Sequence, residues 1–95
     1  MSAPQILATG RCLPARVVTN EELSGQVDTT DQWVFSRTGI HQRHFCTDET
    51  GLDLAVSAAR QAMGRAGVTA ADIGVCLVAT FTPDHASPST ACLLQ

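Results

Sequence analysis

The chain has 95 residues, of which 44% are hydrophobic, and this length is sufficient for one small domain. Six arginines, no lysine and nine acidic residues give a net charge of -3, so the sequence offers no basic patch for a nucleic acid. The first ten residues lack the features of a signal peptide, and the longest apolar run, 75–79, is too short to cross a bilayer. We therefore expect a cytoplasmic protein with no nucleic-acid partner and no membrane segment.

The early part of the chain predicts one strand and one short helix. Residues 5–10 are weakly alternating and end at a glycine, which favours a short buried strand. Further on, Thr19 or Asn20 can cap a single helical turn, and the acidic Glu21 and Glu22 suit the positive end of its dipole.

Residues 27–44 form the most informative stretch. Thr29 is a suitable N-cap, and Gln32 stands where a capping-box partner would reach back, so a helix should begin one residue after Thr29. Trp33 and Arg37 are four residues apart and should share a face of this helix. Gly39, after Thr38, should end it in a left-handed conformation.

A brief edge strand over residues 40–45 should precede a four-turn amphipathic helix over 52–66. Thr47, Asp48 or Thr50 could cap this helix, and Gly67 should end it in a Schellman motif. Its apolar stripe consists mainly of alanine, which allows another backbone to approach closely.

The last third predicts a turn, a strand and a helix. Residues 69–72 resemble a capping box, and the apolar run 73–80 is typical of a strand buried on both faces. Ser87 and Pro88 are expected at the N-cap and first position of a helix that continues through 89–95. This element order predicts an α/β layered fold within one domain.

The chemistry of single residues leaves alternatives open. The Trp33–Arg37 pair could hold a ligand or could pack against the core. The four cysteines are irregularly spaced, at Cys12, Cys46, Cys76 and Cys92. Zinc binding is therefore not expected, and reduced structural thiols are favoured over disulfides. The three histidines, His41, His44 and His85, are expected to be hydrogen-bonded structural residues, and no metal site is predicted.

The strings DTTDQW, RTGI and RH closely resemble those of the β-ketoacyl-acyl carrier protein synthase III family, which are thiolase-like condensing enzymes. The resemblance extends from ATGRCLP and TNEEL to ADIGVCLVATFTPDHASPSTACLLQ. It implies that residues 1–95 are the N-terminal portion of the first half of a thiolase-like αβαβα layered sandwich, which is incomplete here. No second domain is expected in this chain.

The resemblance also implies a function. Family members transfer an acyl group from coenzyme A to a cysteine and condense it with malonyl-acyl carrier protein, with loss of carbon dioxide. No cofactor is bound permanently, because the coenzyme A thioester is a substrate, and the full-length enzyme is expected to be a homodimer. The family's catalytic Cys, His and Asn match no position in residues 1–95, so the chain alone should be inactive.

By the same resemblance, Thr29, Trp33 and Arg37 match positions at the coenzyme A entrance. In the family the tryptophan stacks on adenine, the threonine hydrogen-bonds near that base, and the arginine contacts the pantetheine or phosphate region. Ser87 and Phe35 depart from the commoner residues and leave the acyl primer open. The alternatives are a synthase III-like enzyme of polyketide or quinolone biosynthesis, a binding module without catalysis, and a non-functional fragment.

Overall fold

The computed structural model describes residues 3–95 and divides the chain into two compact units. One unit is Leu13–Asp48; the other combines the chain up to Cys12 with Glu49–Gln95. The prediction of a single domain is not tested by this division and stays a prediction.

The unit Leu13–Asp48 is built on a two-stranded antiparallel ribbon. Strand β1, Arg16–Thr19, pairs with β2, Gln42–Phe45, so that Arg16 lies opposite Phe45 and Thr19 opposite Gln42. The edge strand predicted over 40–45 is thus confirmed from Gln42 onward. Val18 of β1 is only 2% exposed and supplies the buried apolar side chain of the ribbon.

Helix α1, Asn20–Ser24, follows β1 directly. The Thr19 hydroxyl accepts a hydrogen bond from the Glu22 backbone N–H at 3.2 Å, which confirms Thr19 as its cap. The chain then turns toward helix α2.

Helix α2, Asp31–Thr38, begins one residue later than predicted. Its N-cap is Thr30, whose hydroxyl accepts from the Trp33 backbone N–H at 3.1 Å, and the prediction that Thr29 caps the helix is therefore wrong. Two adjacent threonines have equal capping ability in the sequence. In the fold, contacts with Asn20 and His41, which lie outside α2, hold the side chain of Asp31, the first residue after Thr30.

The two longest helices end as predicted, at glycines with left-handed backbone. Gly39 follows α2 with φ 71°, and Gly67 follows helix α3, Gly51–Ala66, with φ 69°. After α3, the Val68 N–H donates to the Met63 carbonyl at 3.1 Å, which is the long bond of a Schellman motif.

The start of α3 and the following 3-10 turn, Ala70–Asp72, are both fixed by capping boxes. At α3, the Asp53 N–H donates to the Thr50 hydroxyl at 3.1 Å, and the Thr50 N–H donates to the Asp53 carboxylate at 3.0 Å. Thr50 is thus the cap among the three residues considered. At the 3-10 turn, the Thr69 N–H donates to the Asp72 carboxylate at 2.8 Å, as the sequence pattern predicted.

Residues 9–11 lie against α3 within the same unit. A Cβ added to Gly10 would stand 2.1 Å from the Ala58 carbonyl oxygen, so the two backbones are in direct contact. The Arg11 N–H donates to the Gln61 side chain at 2.9 Å. The expectation that the alanine stripe of α3 admits a close neighbour is confirmed.

The strands predicted over residues 5–10 and 73–80 do not form within residues 3–95, and that prediction is wrong for this structure. Their side chains are exposed instead: Ile6 is 89% and Leu77 90% accessible. Cys76 is likewise exposed and lies outside any strand. A strand requires a neighbouring segment to accept and donate its backbone hydrogen bonds, and no such segment pairs with these residues in the part of the chain described.

Helix α4, Thr90–Leu94, also starts later than predicted. Ser89 is its N-cap, with the Cys92 N–H donating to the Ser89 hydroxyl at 3.3 Å, and the Ser87–Pro88 peptide bond is cis. The assignment of Ser87 and Pro88 to the N-cap and first position is therefore wrong. Ser89, two residues after Ser87, provides the capping hydroxyl that was expected from Ser87.

Candidate functional site

The exposed face of α2 carries an aromatic ring and a cation. The Arg37 guanidinium carbon lies 4.6 Å from the centre of the Trp33 ring, and the Trp33 side chain is 55% exposed. The two residues are one helical turn apart, so the prediction that they share a face is confirmed. An exposed cation–π contact of this kind contributes about 0.5–1 kcal/mol, which is small enough for a ligand to rearrange.

This pair has the chemistry to bind a nucleotide-like ligand. A half-exposed indole presents a surface on which a base can stack, and the guanidinium supplies fixed donors for anionic oxygens. Within residues 3–95, the Trp33 ring is not packed in a core.

Thr29 lies next to this helix, but its hydroxyl is not presented to solvent. The Thr29 Oγ1 atom is buried and has no hydrogen-bond partner within the described residues, whereas the residue itself is half-buried. A buried hydroxyl without a partner is destabilising. A change in the Thr29 side-chain rotamer would be needed before it could contact a ligand.

Behind α2 lies a polar cluster that the sequence analysis did not identify. Asn20 has no exposed surface, and its side-chain amide donates to the Asp31 carboxylate at 2.8 Å and to the Ile40 carbonyl at 2.7 Å. Its side-chain oxygen accepts from the Arg43 guanidinium at 2.6 Å. In the sequence, Asn20 is only an alternative cap, and nothing nearby indicates that the folded chain buries it.

Asp31 joins this cluster to His41. Its Oδ1 atom lies 2.9 Å from His41 Nδ1, and the His41 ring stacks on Phe35 with centroids 3.9 Å apart. The hydrogen bonds from His41 and then from Asn20 lower the pKa of Asp31 below its ordinary value of 3.8. The large ring of Phe35, a departure noted in the sequence, therefore has a structural partner.

Two of the three histidines are hydrogen-bonded, as expected. His41 contacts Asp31, and His44 Nδ1 lies 2.6 Å from the carbonyl oxygen of the buried Pro14. For His85 the expectation stays a prediction.

The remaining chemistry-bearing groups are dispersed. All four cysteines are free thiols. Among residues 3–95, no three His, Cys, Asp or Glu side chains are grouped as a metal ion would require. Over the same range, no helix has the length and apolar content to cross a membrane.

Comparison with known proteins gives close relatives over the whole chain. The β-ketoacyl-[acyl-carrier-protein] synthase III of Thioalkalivibrio sulfidiphilus is 52% identical over 96 residues, which is 100% of this chain and 30% of that relative. The chain thus spans about a third of the length of such relatives. No protein-family model matches it.

Solved structures agree with the sequence comparison. The structure of 3-oxoacyl-[acyl-carrier-protein] synthase III from Aquifex aeolicus is similar to this chain, with 40% sequence identity and a TM-score of 0.89. The match covers 94% of this chain and 29% of the Aquifex chain. The priming β-ketosynthase from the R1128 polyketide biosynthetic pathway is also similar, with 34% identity and a TM-score of 0.88. This match covers 95% of the present chain and 27% of the β-ketosynthase chain. The resemblance to the β-ketoacyl-acyl carrier protein synthase III family is therefore confirmed along the whole chain, as is the α/β fold for the part of the thiolase-like sandwich to which it corresponds.

Proposed function

We propose that this chain is the N-terminal part of a condensing acyltransferase of the β-ketoacyl-acyl carrier protein synthase III type. In this proposal, α2 forms one wall of the entrance through which coenzyme A binds. The observation that carries it is the exposed Trp33–Arg37 pair, found within a chain that is 52% identical to a curated synthase III.

Each of the three site residues has a separate role in this proposal. Trp33 stacks on the adenine of coenzyme A, and Arg37 binds its anionic oxygens. Thr29 donates a hydrogen bond near the same base after its buried hydroxyl rotates outward. Among the described residues the hydroxyl has no hydrogen-bond partner, so this rotation breaks no hydrogen bond to them.

The proposed reaction uses an acyl-coenzyme A and malonyl-acyl carrier protein. The acyl group passes to a cysteine thiolate with release of coenzyme A; decarboxylation of the malonyl group then yields a carbanion that attacks the acyl thioester. The new carbon–carbon bond forms as the cysteine leaves, giving β-ketoacyl-acyl carrier protein and carbon dioxide. The cysteine, and the His and Asn that stabilise the carbanion, belong to the rest of a homodimeric, cytoplasmic enzyme.

A second candidate is a priming synthase of polyketide-like biosynthesis, which the similarity to the R1128 β-ketosynthase favours. The two candidates share the coenzyme A entrance and differ in the acyl primer. Measuring which acyl-coenzyme A the complete gene product accepts would separate them.

Binding of coenzyme A tests the proposed role of α2. In the complete gene product that carries this sequence, Trp33→Ala should weaken coenzyme A binding by about 1–3 kcal/mol, or about 5- to 150-fold, as for the loss of one base stack. Arg37→Ala should cause a further loss that shrinks at high salt. Calorimetric titration and thermal unfolding are measured together. Gln32→Ala, at another exposed position of α2, is the control and should bind as the wild type does.

The opposite pattern would remove α2 from the site. A Trp33→Ala protein with a lower melting temperature but unchanged affinity for coenzyme A would show that the tryptophan only supports the fold. Separately, the purified 95-residue chain should not condense acetyl-coenzyme A with malonyl-acyl carrier protein, and turnover by it would contradict the assignment of the catalytic residues to the rest of the enzyme.

A further inference from the structure

We propose that Asn20 is a positioning residue that sets the orientation of the Trp33–Arg37 face of α2. The expected effect of Asn20 on coenzyme A binding rests on the proposed function. The structural part of the inference, the control of Trp33 by Asn20, can be tested without any ligand.

The first step of the argument is the arrangement of side chains around α2. Successive residues of an α-helix are about 100° apart, so Asp31 and Phe35 lie on one face and Trp33 and Arg37 on the nearly opposite one. The Asp31–Phe35 face makes the tertiary contacts, a hydrogen bond and a ring stack with His41. The Trp33–Arg37 face is exposed. The anchoring of one face therefore decides how the other is presented.

The second step is the position of Asn20 in that anchoring. Its side chain bonds Asp31 at the first residue of α2 and Ile40 just after the helix ends. Its backbone N–H donates to the His41 carbonyl at 3.0 Å. One buried residue thus holds both ends of the helix, and its oxygen is held in turn by Arg43 of β2.

The third step is that only a carboxamide of this size satisfies the cluster. The Asp31 carboxylate and the Ile40 carbonyl can only accept hydrogen bonds, and the Arg43 guanidinium can only donate. The Asn20 amide therefore has one possible orientation, with both N–H groups toward the acceptors. An aspartate at this position would place a carboxylate against two acceptors, and a hydrocarbon would remove one hydrogen bond from each of the three partners.

These contacts predict a defined defect when Asn20 is changed. In Asn20→Asp, repulsion from Asp31 should release the start of α2, and the Trp33–Arg37 pair should lose its fixed orientation. A binding group that is no longer preorganised must be ordered when the ligand binds, and we therefore expect coenzyme A affinity to fall about 10-fold. The double variant Asn20→Asp/Asp31→Asn reverses the donor and acceptor at their 2.8 Å bond and should restore part of the affinity.

The experiment uses the complete gene product labelled with 5-fluorotryptophan, and the ¹⁹F resonance of Trp33 is identified by its loss in Trp33→Phe. Asn20→Asp should shift or broaden this resonance below the melting temperature, and the double variant should reverse the change. Asn20→Ser, which keeps one donor and leaves room for a water, is measured in parallel in case Asn20→Asp does not fold. Glu22→Gln is the control, because it breaks the exposed Arg16–Glu22 pair at 2.8 Å without contacting the cluster.

The outcomes separate this inference from the proposed function. A folded Asn20 variant with the wild-type Trp33 resonance would overturn the positioning role, whatever its affinity for coenzyme A. An altered resonance that the double variant restores would support the role. If, in addition, neither Asn20→Asp nor Trp33→Ala changed coenzyme A binding, the proposed function would fail while the positioning role stood.

Discussion

Replacing Gly10 by alanine should destabilise the unit in which it packs against α3. The added Cβ would lie 2.1 Å from the Ala58 carbonyl oxygen and 2.8 Å from the Ala62 nitrogen, whereas real Cβ contacts essentially never fall below 3.0 Å. Both neighbours are backbone atoms of a helix and cannot rotate away. The segment containing residue 10 would therefore have to move by roughly 1 Å, as in other overpacked sites.

The size of the effect follows from two contributions. Overpacking of this kind costs about 1–3 kcal/mol. The displacement would also weaken two flanking hydrogen bonds, from the Arg11 N–H to Gln61 and from the Arg65 guanidinium to the Thr9 carbonyl, each of which contributes about 1 kcal/mol. We therefore expect a loss of about 3 kcal/mol in local stability.

Hydrogen exchange of the α3 amides in the complete gene product measures this loss directly. Gly64→Ala is the matched control, because Gly64 lies in the same helix and, apart from its chain neighbours and the backbone of its own helix, no described atom lies within 4 Å of an added Cβ. That substitution should stabilise α3 by about 0.5–1 kcal/mol, through the higher helix propensity of alanine. If Gly10→Ala left exchange from α3 and the melting temperature unchanged, the close approach of the two backbones would be refuted.

Three further predictions concern the start of α2. Thr30→Ala removes the cap on the Trp33 N–H and should lower stability by about 1 kcal/mol in thermal unfolding. Thr29→Val removes a hydroxyl that has no partner in the described part of the chain, so it should leave stability unchanged or higher while weakening coenzyme A binding. Equal destabilisation by Thr30→Ala and Thr29→Val would contradict the assigned cap. Because the pKa of Asp31 is lowered in the fold, its ionised form stabilises the protein above the ordinary value of 3.8, and this contribution is lost as the pH falls further. Asp31→Asn should therefore flatten the acid side of the melting-temperature profile, and parallel profiles would count against this.

Features that depend on neighbours within a few residues could be predicted from the sequence. The capping boxes at Thr50 and Thr69 and the left-handed glycines after α2 and α3 are of this kind. Their hydrogen bonds join residues at most five positions apart, so the local order of side chains is sufficient to specify them.

Strands were harder to predict, because their stability comes from a partner elsewhere in the chain. The apolar run 73–80 has the composition of a buried strand, yet it forms none within residues 3–95. In contrast, the less apolar segment Gln42–Phe45 forms a strand because Arg16–Thr19 pairs with it. Composition indicates which segments can be strands, and pairing decides which of them are.

The sequence by itself determined that Trp33 and Arg37 share one face of a helix that ends at Gly39, because the helical repeat places residues four apart on one side. Only the tertiary structure decided where that helix starts and how its face is held. Asn20 is separated from Asp31 by 11 positions and from Arg43 by 23, and it becomes a buried carboxamide only when the fold brings them together. No local pattern specifies this burial, because the energetic value of a polar side chain depends on partners that are distant in the sequence.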